Sequence, residues 1–304
     1  MAEPFVKWVG GKRQLLKEII LRLPSDFGNP NYRRYAEPFV GGGAVLFELF
    51  SRDLVDEAII VDINADLILT YQMIKSHPND VIDCLYNFQV RYDESNYEER
   101  KKMYFATREL YNELTSVEPD SLSLEGKILR ACQFIFLNKT GFNGLYRVNK
   151  EGRMNVPPSH LKNKKIYSED NILSVSKVLQ NVSIIQGSYV SISSWVTKNT
   201  LVYFDPPYRP ITQTSFTNYS IGGFDDLQQG KLAEFCHNLT NNGIDLLISN
   251  SNPKKNDPND QFFYELFPEI KGYVHQIVQA RRQINSKGKE RGKIEEIMIS
   301  NYKS

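Results

Sequence analysis

This sequence predicts an α/β fold interrupted by a helical insertion, and three observations carry that expectation. A short strand, a run of three glycines, a helix, a second strand and an acid follow one another between Arg34 and Asp62. From about Asn79 to Thr140 helical periodicity persists with no strand between, and beyond Val182 apolar strand patterns return. With 304 residues and 41% hydrophobic content, the chain is long enough for one large core with a smaller lobe appended, because single cores seldom grow past about 250–300 residues.

The elements follow in order. Leu15, Leu16, Ile19, Ile20 and Leu23 recur at helical spacing after Gly10-Gly11, and Pro24 ends the run, so a glycine turn feeds a first amphipathic helix. Arg34 to Phe39 reads as a strand that runs into Gly41-Gly42-Gly43 and the helix start Ala44-Val45-Leu46-Phe47. Ala58 to Val61 reads as a buried strand ending on Asp62-Ile63-Asn64, with a helix from Ala65 to about Lys75. Together these have the layout of a nucleotide-binding βαβ unit. In the insertion, Tyr146-Arg147-Val148 and Arg153 to Val156 flank Asn149-Lys150-Glu151-Gly152, which is hairpin chemistry. Later strands are expected at Val182–Gln186, Leu201–Phe204, Ile244–Ser249, Tyr273–Ala280 and Ile294–Asn301, with a helix from about Asp225 to Leu239. The expected partition is a catalytic domain of residues 1–76 and 168–304, split by an inserted domain of residues 77–167.

Composition removes several classes. No apolar run approaches the roughly 18 residues of a membrane helix, and Met1 to Lys7 carry no signal-peptide stretch, so a cytoplasmic protein is expected. Cys84, Cys132 and Cys236 are far apart and form no C-x-x-C pair, which reads as buried free thiols. His77, His160, His237 and His275 lack metal-ligand spacing, so no metal is expected. The net charge of +1 is uninformative by itself. Its distribution is uneven, with basic residues gathered at Lys162, Lys164 and Lys165 and from Arg281 to Lys293.

Asp205-Pro206-Pro207-Tyr208 follows directly on the apolar strand Leu201–Phe204. That is the carboxyl end of a strand, where open α/β sheets bind ligands. Neither proline has an N–H, and their fixed φ stiffens the loop. Read alone, the tetrapeptide also fits a plain strand-ending turn. Asp62 lies about 20 residues after the glycine run, where an acid accepts from a ribose diol; its alternative is a helix cap.

Lys7-Trp8-Val9-Gly10-Gly11-Lys12, the Glu37 to Gly43 run and Asp205 to Tyr208, in this order and with an insertion between, resemble the Dam-type family of DNA adenine-N6 methyltransferases. The resemblance covers essentially the whole chain, including Leu137-Asn138-Lys139, Phe142 to Arg147 and Asn155-Val156-Pro157 within the insertion. It implies a Rossmann-like fold with a mixed, mostly parallel seven-stranded sheet and a helical target-recognition domain bearing a β-hairpin. It implies S-adenosylmethionine as methyl donor, held by Trp8, Lys12, Phe39, Gly41, Gly43, Asp62 and Asp205. It makes Asp205, Pro206 and Tyr208 catalytic. Adenine N6 is a poor nucleophile because its lone pair is delocalised, so acceptors for its hydrogens from Asp205 and the Pro206 carbonyl would raise its reactivity, while Tyr208 stacks on an extruded base.

For DNA, the resemblance implies that Lys7, Phe142, Asn143, Leu145, Arg147 and Pro157 meet the duplex. Arginine can donate two bonds to guanine, and Leu145 and Pro157 can meet thymine methyls. GATC is the expected site. Lys287 and Lys289, in a late basic segment, are expected to contact phosphates. The other readings are core filler for Trp8, a solvated charge for Lys12, domain core for Phe142 and a phosphate clamp for Arg147. The chain departs from common family members in having Phe142 where many carry tyrosine, and Gly187-Ser188-Tyr189 where some relatives carry an acid facing the cofactor adenine. The expected partner is double-stranded DNA, bound by a monomer, with a cognate restriction enzyme as functional rather than physical partner.

Rival readings are an amino methyltransferase acting on RNA, protein glutamine or cytosine N4, and a non-catalytic DNA-binding relative. C5-cytosine chemistry needs a nucleophilic cysteine, usually after proline, and the chain has no Pro-Cys pair.

Overall fold

The computed structural model describes residues 1–160, 164–209, 224–281 and 293–303. Its strands are β1 (Arg34–Glu37), β2 (Glu57–Asp62), β3 (Val182–Gln186), β4 (Thr200–Phe204), β5 (Asp245–Ser251), β6 (Val274–Arg281) and β7 (Lys293–Ser300). They form one seven-stranded sheet in the order β3-β2-β1-β4-β5-β7-β6. Strand β1 is parallel to β2 and β4, β4 is parallel to β5, and β7 runs antiparallel between β5 and β6. The result is a mixed, mostly parallel sheet of Rossmann-like layout, as expected. The parallel strands are buried along almost their whole length, with Thr200 to Phe204 buried throughout, which explains their continuous apolar runs.

The helices are α1 (Leu16–Ile20), α2 (Ala44–Ser51), α3 (Ala65–Ser76), α4 (Pro78–Glu94), α5 (Tyr97–Leu114), α6 (Leu124–Thr140), α7 (Glu169–Leu179), α8 (Asp226–Asn241) and α9 (Phe262–Leu266). Residue contacts divide the chain into two compact units. The first is Met1–Gly11, Gly41–Arg52 and Asp62–Gly187; the second is Lys12–Val40, Asp53–Val61 and Ser188–Ser304.

In the first unit, α3 and α6 are buried on most sides and meet over an internal ion pair. Arg130 Nε lies 2.5 Å from Asp66 Oδ1, and both side chains are almost wholly buried. The Tyr111 hydroxyl donates to Asp66 Oδ2 at 2.6 Å, and the Tyr146 hydroxyl adds a longer bond at 3.3 Å. A second guanidinium nitrogen, Nη1, donates to the carbonyls of Leu114 and Val117. With its polar atoms satisfied in this way, a buried charge pair is tolerable.

One expectation needs correction. The first helix is shorter than its apolar spacing predicts, with a single tight turn at Lys12–Gln14 followed by the five residues of α1. Leu15 offers no side-chain cap at its start, and just past its end the Arg22 guanidinium takes the Glu18 carbonyl at 2.9 Å. The expected hairpin is present and short: Val148 and Met154 form an antiparallel bridge, the Asn149 N–H donates to the Arg153 carbonyl at 2.9 Å, and the Asn155 N–H donates to the Arg147 carbonyl at 3.1 Å. Helix α5 binds outward-facing main-chain groups of its second segment. Asn112 accepts from the Met154 N–H and donates to its carbonyl, while Tyr104 and Arg108 donate to the Val156 carbonyl. The three cysteines are free; Cys132 and Cys236 are buried, whereas Cys84 is only half-buried.

Candidate active site

In the second unit, Asp205 leaves the buried end of β4 and its carboxylate is tied at once. Lys12 Nζ lies 2.8 Å from Asp205 Oδ1, and the Ser249 hydroxyl of β5 donates to the same oxygen at 3.0 Å. Ser249 is itself fixed by a 2.9 Å bond to the Tyr203 hydroxyl. Burial pushes the Asp205 carboxyl above the ordinary carboxylate range, and Lys12 and Ser249 pull it back. Lys12 is only 6% exposed, so it is not a solvated helix-start charge.

The rest of the loop is equally pinned. Gln229 of α8 donates to the Pro207 carbonyl at 3.0 Å, the Arg209 N–H donates to Asn250 at 3.0 Å, and the Ser251 hydroxyl donates to the Arg209 carbonyl at 2.7 Å. The Arg209 side chain forks onto Asp226 and reaches Asp260. The Tyr208 hydroxyl donates to the Glu296 carboxylate. Lys12 Nζ lies 4.5 Å from the centre of the Tyr208 ring. Burial, with Asp205 and Glu296 nearby, holds the Tyr208 hydroxyl protonated well above its usual range. Among the described residues the Pro206 carbonyl accepts no hydrogen bond. Phe39, just past β1, is half-buried against Tyr189, Phe204 and Phe224.

In the first unit, the glycine turn and Asp62 form a second cluster. Gly41 has φ 47°, and a Cβ there would lie 2.5 Å from Trp8 Cδ1, so only glycine lets the indole pack on the backbone. The indole also lies on Tyr146, with ring centres 6.2 Å apart and planes 19° apart. The Tyr71 hydroxyl donates to the Gly41 carbonyl at 3.1 Å and leaves no room for a Cβ at Gly43. Asp62 is not the cap of α3, because Asn64 accepts from the Leu67 N–H at 2.9 Å. Each Asp62 oxygen instead accepts one backbone N–H, from Gly41 at 3.1 Å and Asn64 at 2.9 Å. A carboxylate has about four acceptor positions, so this one retains capacity for a diol. Burial raises its carboxyl above the ordinary range, against those N–H groups. The residues therefore fit a ribose-bearing cofactor.

The same unit gathers the residues expected on DNA. Asn138, 2% exposed, accepts from the Lys7 N–H at 2.8 Å and donates to the carbonyls of Lys7 at 2.8 Å and Gly144 at 2.9 Å. The preceding segment is tied as well, because Glu3 exchanges two bonds with the Asn171 side chain. Asn143 and Gly144 both take positive φ, and a Cβ on Gly144 would lie 2.5 Å from Lys7 Cβ. Phe142 is 46% exposed, so it is not domain core, and its N–H donates to the carbonyl of the exposed Pro157 at 2.9 Å. Leu145 is half-buried and Arg147 is exposed, its Nε held by Asn155 Oδ1 at 2.7 Å. Lys287 and Lys289, like Lys162, lie outside the described residues.

The structure thus brings together Lys12, Asp205, Pro206 and Tyr208 in one unit, and in the other Trp8, Gly41, Gly43 and Asp62 beside Lys7 and the turn from Phe142 to Pro157. Sequence reasoning did not find Ser249, Glu296 or the Asp66–Arg130 pair, and it gave Asn138 no role. An acid inside the apolar strand Ile294–Asn301 was the available signal for Glu296.

These features are those of an amino methyltransferase acting on nucleic acid, and the comparison with known proteins agrees. The chain belongs to the D12 class of N6 adenine-specific DNA methyltransferases, whose pattern it matches over residues 8–284. It is 41% identical over 302 residues to the Type II methyltransferase M.MjaIII of Methanocaldococcus jannaschii, with 99% of each chain covered. To the Type II methyltransferase M1.LlaDCHI of Lactococcus lactis subsp. cremoris it is 35% identical, over 98% of this chain and 95% of that one. To the DNA adenine methylase of Escherichia coli K12 it is 33% identical, over 97% and 93%. Membership implies S-adenosylmethionine as methyl donor and DNA as substrate. Among the described residues no helix is long and apolar enough to cross a membrane, and no cluster of three or more His, Cys, Asp or Glu residues is placed to hold a metal.

Proposed function

We propose that the chain methylates adenine N6 in the duplex sequence GATC, after turning the base out of the helix, by direct transfer. The observation that carries the chemistry is the Asp205 carboxylate, fixed by Lys12 and Ser249 at the end of β4. With the Pro206 carbonyl it supplies two acceptors for the amino hydrogens of N6, which draws the lone pair out of the ring and toward an electrophile. Two prolines and the bonds to Pro207, Tyr208 and Arg209 hold these acceptors still, so little reorganisation is needed at the moment of reaction. The Tyr208 ring stacks on the extruded base, which a duplex would otherwise shield.

S-adenosylmethionine, when bound, supplies a methyl group activated by its sulfonium. The residues that would hold it are Trp8, Lys12, Phe39, Gly41, Gly43, Asp62 and Asp205, with Asp62 on the ribose diol. Residues 77–167 form the target-recognition part. Arg147 reads guanine in the major groove, Leu145 and Pro157 meet thymine methyls, Lys7 assists at the outer guanine, Phe142 enters the stack near the extruded base, and Asn143 meets the duplex beside it. The exposure of Phe142 and Arg147 on a pinned backbone supports this reading. The enzyme acts as a monomer, with a restriction enzyme of the same specificity as a functional rather than physical partner.

The test is transfer of labelled methyl to two duplexes, one with a single GATC and one with its adenine replaced by 2-aminopurine, which lacks the 6-amino group. Label on the first alone is expected. Label on both, or on neither, overturns the assignment of target and site.

A further inference from the structure

We propose that Glu296 is a positioning residue for methyl transfer, holding the Tyr208 ring in one orientation beside Asp205. This rests on the reading that Tyr208 stacks on the target base.

Glu296 sits on β7, opposite Ser251 of β5 and Val278 of β6, far in sequence from the loop it serves. It is 9% exposed, and Oε2 takes the Tyr208 hydroxyl. The ring is therefore held at its far end by Glu296, while Lys12 lies 4.5 Å from its centre. The backbone on the far side is fixed by Asn250 and Ser251, the latter being the residue paired with Glu296 across β5 and β7. The adjacent strands β5 and β7 thus fix the Tyr208 ring and the main chain of the next residue, Arg209.

A buried carboxylate is a costly choice for a task that a neutral acceptor can perform. Burial raises the Glu296 carboxyl, Lys12 and the Tyr208 bond oppose that rise, and Asp205 adds to it. Glu296 and Asp205 therefore share the field of one buried lysine. The charge has a structural use: a charge-assisted bond to a phenol is shorter and stronger than a neutral one, and it restricts the ring more tightly. Without it, the ring would rotate about its side-chain bonds, and the base it meets would no longer be presented to Asp205 in one pose.

The experiment is a double-mutant cycle on the full-length chain with Glu296→Ala and Tyr208→Phe, joined by Glu296→Gln and Tyr208→Ala. Tyr208→Phe keeps the ring and removes only the hydroxyl. Each variant is measured for kcat, KM for S-adenosylmethionine, KM for DNA and Tm. Glu296→Ala and Tyr208→Phe are each expected to lower kcat about tenfold, the scale of one hydrogen bond to a charged group. KM for S-adenosylmethionine should change by less than about twofold, because the interaction acts on the presented base. The double variant should be no slower than the slower single one, as for two residues acting through one contact. Glu296→Gln should recover only part of the loss, since its amide oxygen still accepts the phenol but lacks the charge that strengthens the bond.

Losses that multiply in the double variant would overturn the proposal. A lowered Tm with unchanged kcat below the melting range would do the same, since it would assign Glu296 to stability alone. If Tyr208→Ala leaves turnover intact, the stacking reading itself falls. If Tyr208→Ala abolishes turnover and Glu296→Ala does not alter it, only the role of Glu296 falls.

Discussion

The loop after β4 and the turn that carries Arg147 are built on opposite plans. In the loop, the side chains that face chemistry are themselves immobilised: Asp205 by Lys12 and Ser249, Tyr208 by Glu296. In the turn, it is chiefly the backbone that is immobilised. Asn138, Asn112, Tyr104 and Arg108 all bind main-chain atoms of the reading segments, while Phe142 and Arg147 stay exposed, with the Arg147 guanidinium resting on the neighbouring Asn155. The contrast follows from what each must meet. A reacting group must be fixed in place before the reaction, whereas a base edge in a groove must be reached by a side chain standing clear of the surface.

That contrast can be broken at several points. The largest effect should come from Asp205→Ala, which removes a fixed acceptor and should lower kcat about 10³-fold; a gel shift should still show DNA bound. Turnover within tenfold of the unmutated enzyme would remove Asp205 from the chemistry. Next comes Asp66→Ala, which strands the buried guanidinium of Arg130 beneath the turn. It should cost about 3–5 kcal/mol in denaturant unfolding, and a loss under 1 kcal/mol would show that the turn stands without its buried support.

Arg147→Ala should cost about 1–3 kcal/mol of discrimination at one base pair, read as the ratio of kcat/KM on GATC to that on a singly substituted site. Equal weakening on every sequence would make Arg147 a phosphate clamp instead. A smaller shift is expected from pH. The Asp205 carboxyl stands above its ordinary value and Lys12 holds it down. As pH falls through that value the acceptor gains a proton, and kcat falls on the acid side. Lys12→Met removes the opposing charge, so the acid limb of the kcat profile should move to higher pH; an unmoved limb would separate the lysine from the carboxylate's ionisation. The smallest effect per residue belongs to Lys287, Lys289 and Arg291. Neutralising them should weaken DNA binding evenly and lower the salt slope by about one per charge, and an unchanged slope would return them to plain solvated charges.

Much of this arrangement was readable from residue order, for definable reasons. The parallel strands were legible because burial on both faces leaves apolar runs such as Leu201 to Phe204. Asp205 was legible because it follows one of them directly. Helix α7 was not singled out: Ser168 makes no side-chain cap bond there, and its short amphipathic pattern gives a weak start signal. Glu296 was hidden by its neighbour. In Glu295-Glu296 one acid faces each side of the strand, and the sequence does not say which is buried; Glu295 meets Asn252, and Glu296 meets Tyr208. The hairpin was legible from its turn residues, but its outward-facing bonds to helix α5 were not, because nothing local marks Asn112 or Tyr104 as their partners.

The first seven residues have a consequence for fidelity. Glu3 is tied to Asn171, and Lys7 is gripped by Asn138 and filled in behind by Gly144. On the proposed reading they belong to the reading face, although they lie far in sequence from the loop around Asp205. A protease that trimmed them would take away the lysine and the seat of the turn, yet leave every partner of Asp205 in its own unit in place. Such a clipped enzyme would betray itself by stray methylation before it betrayed itself by silence.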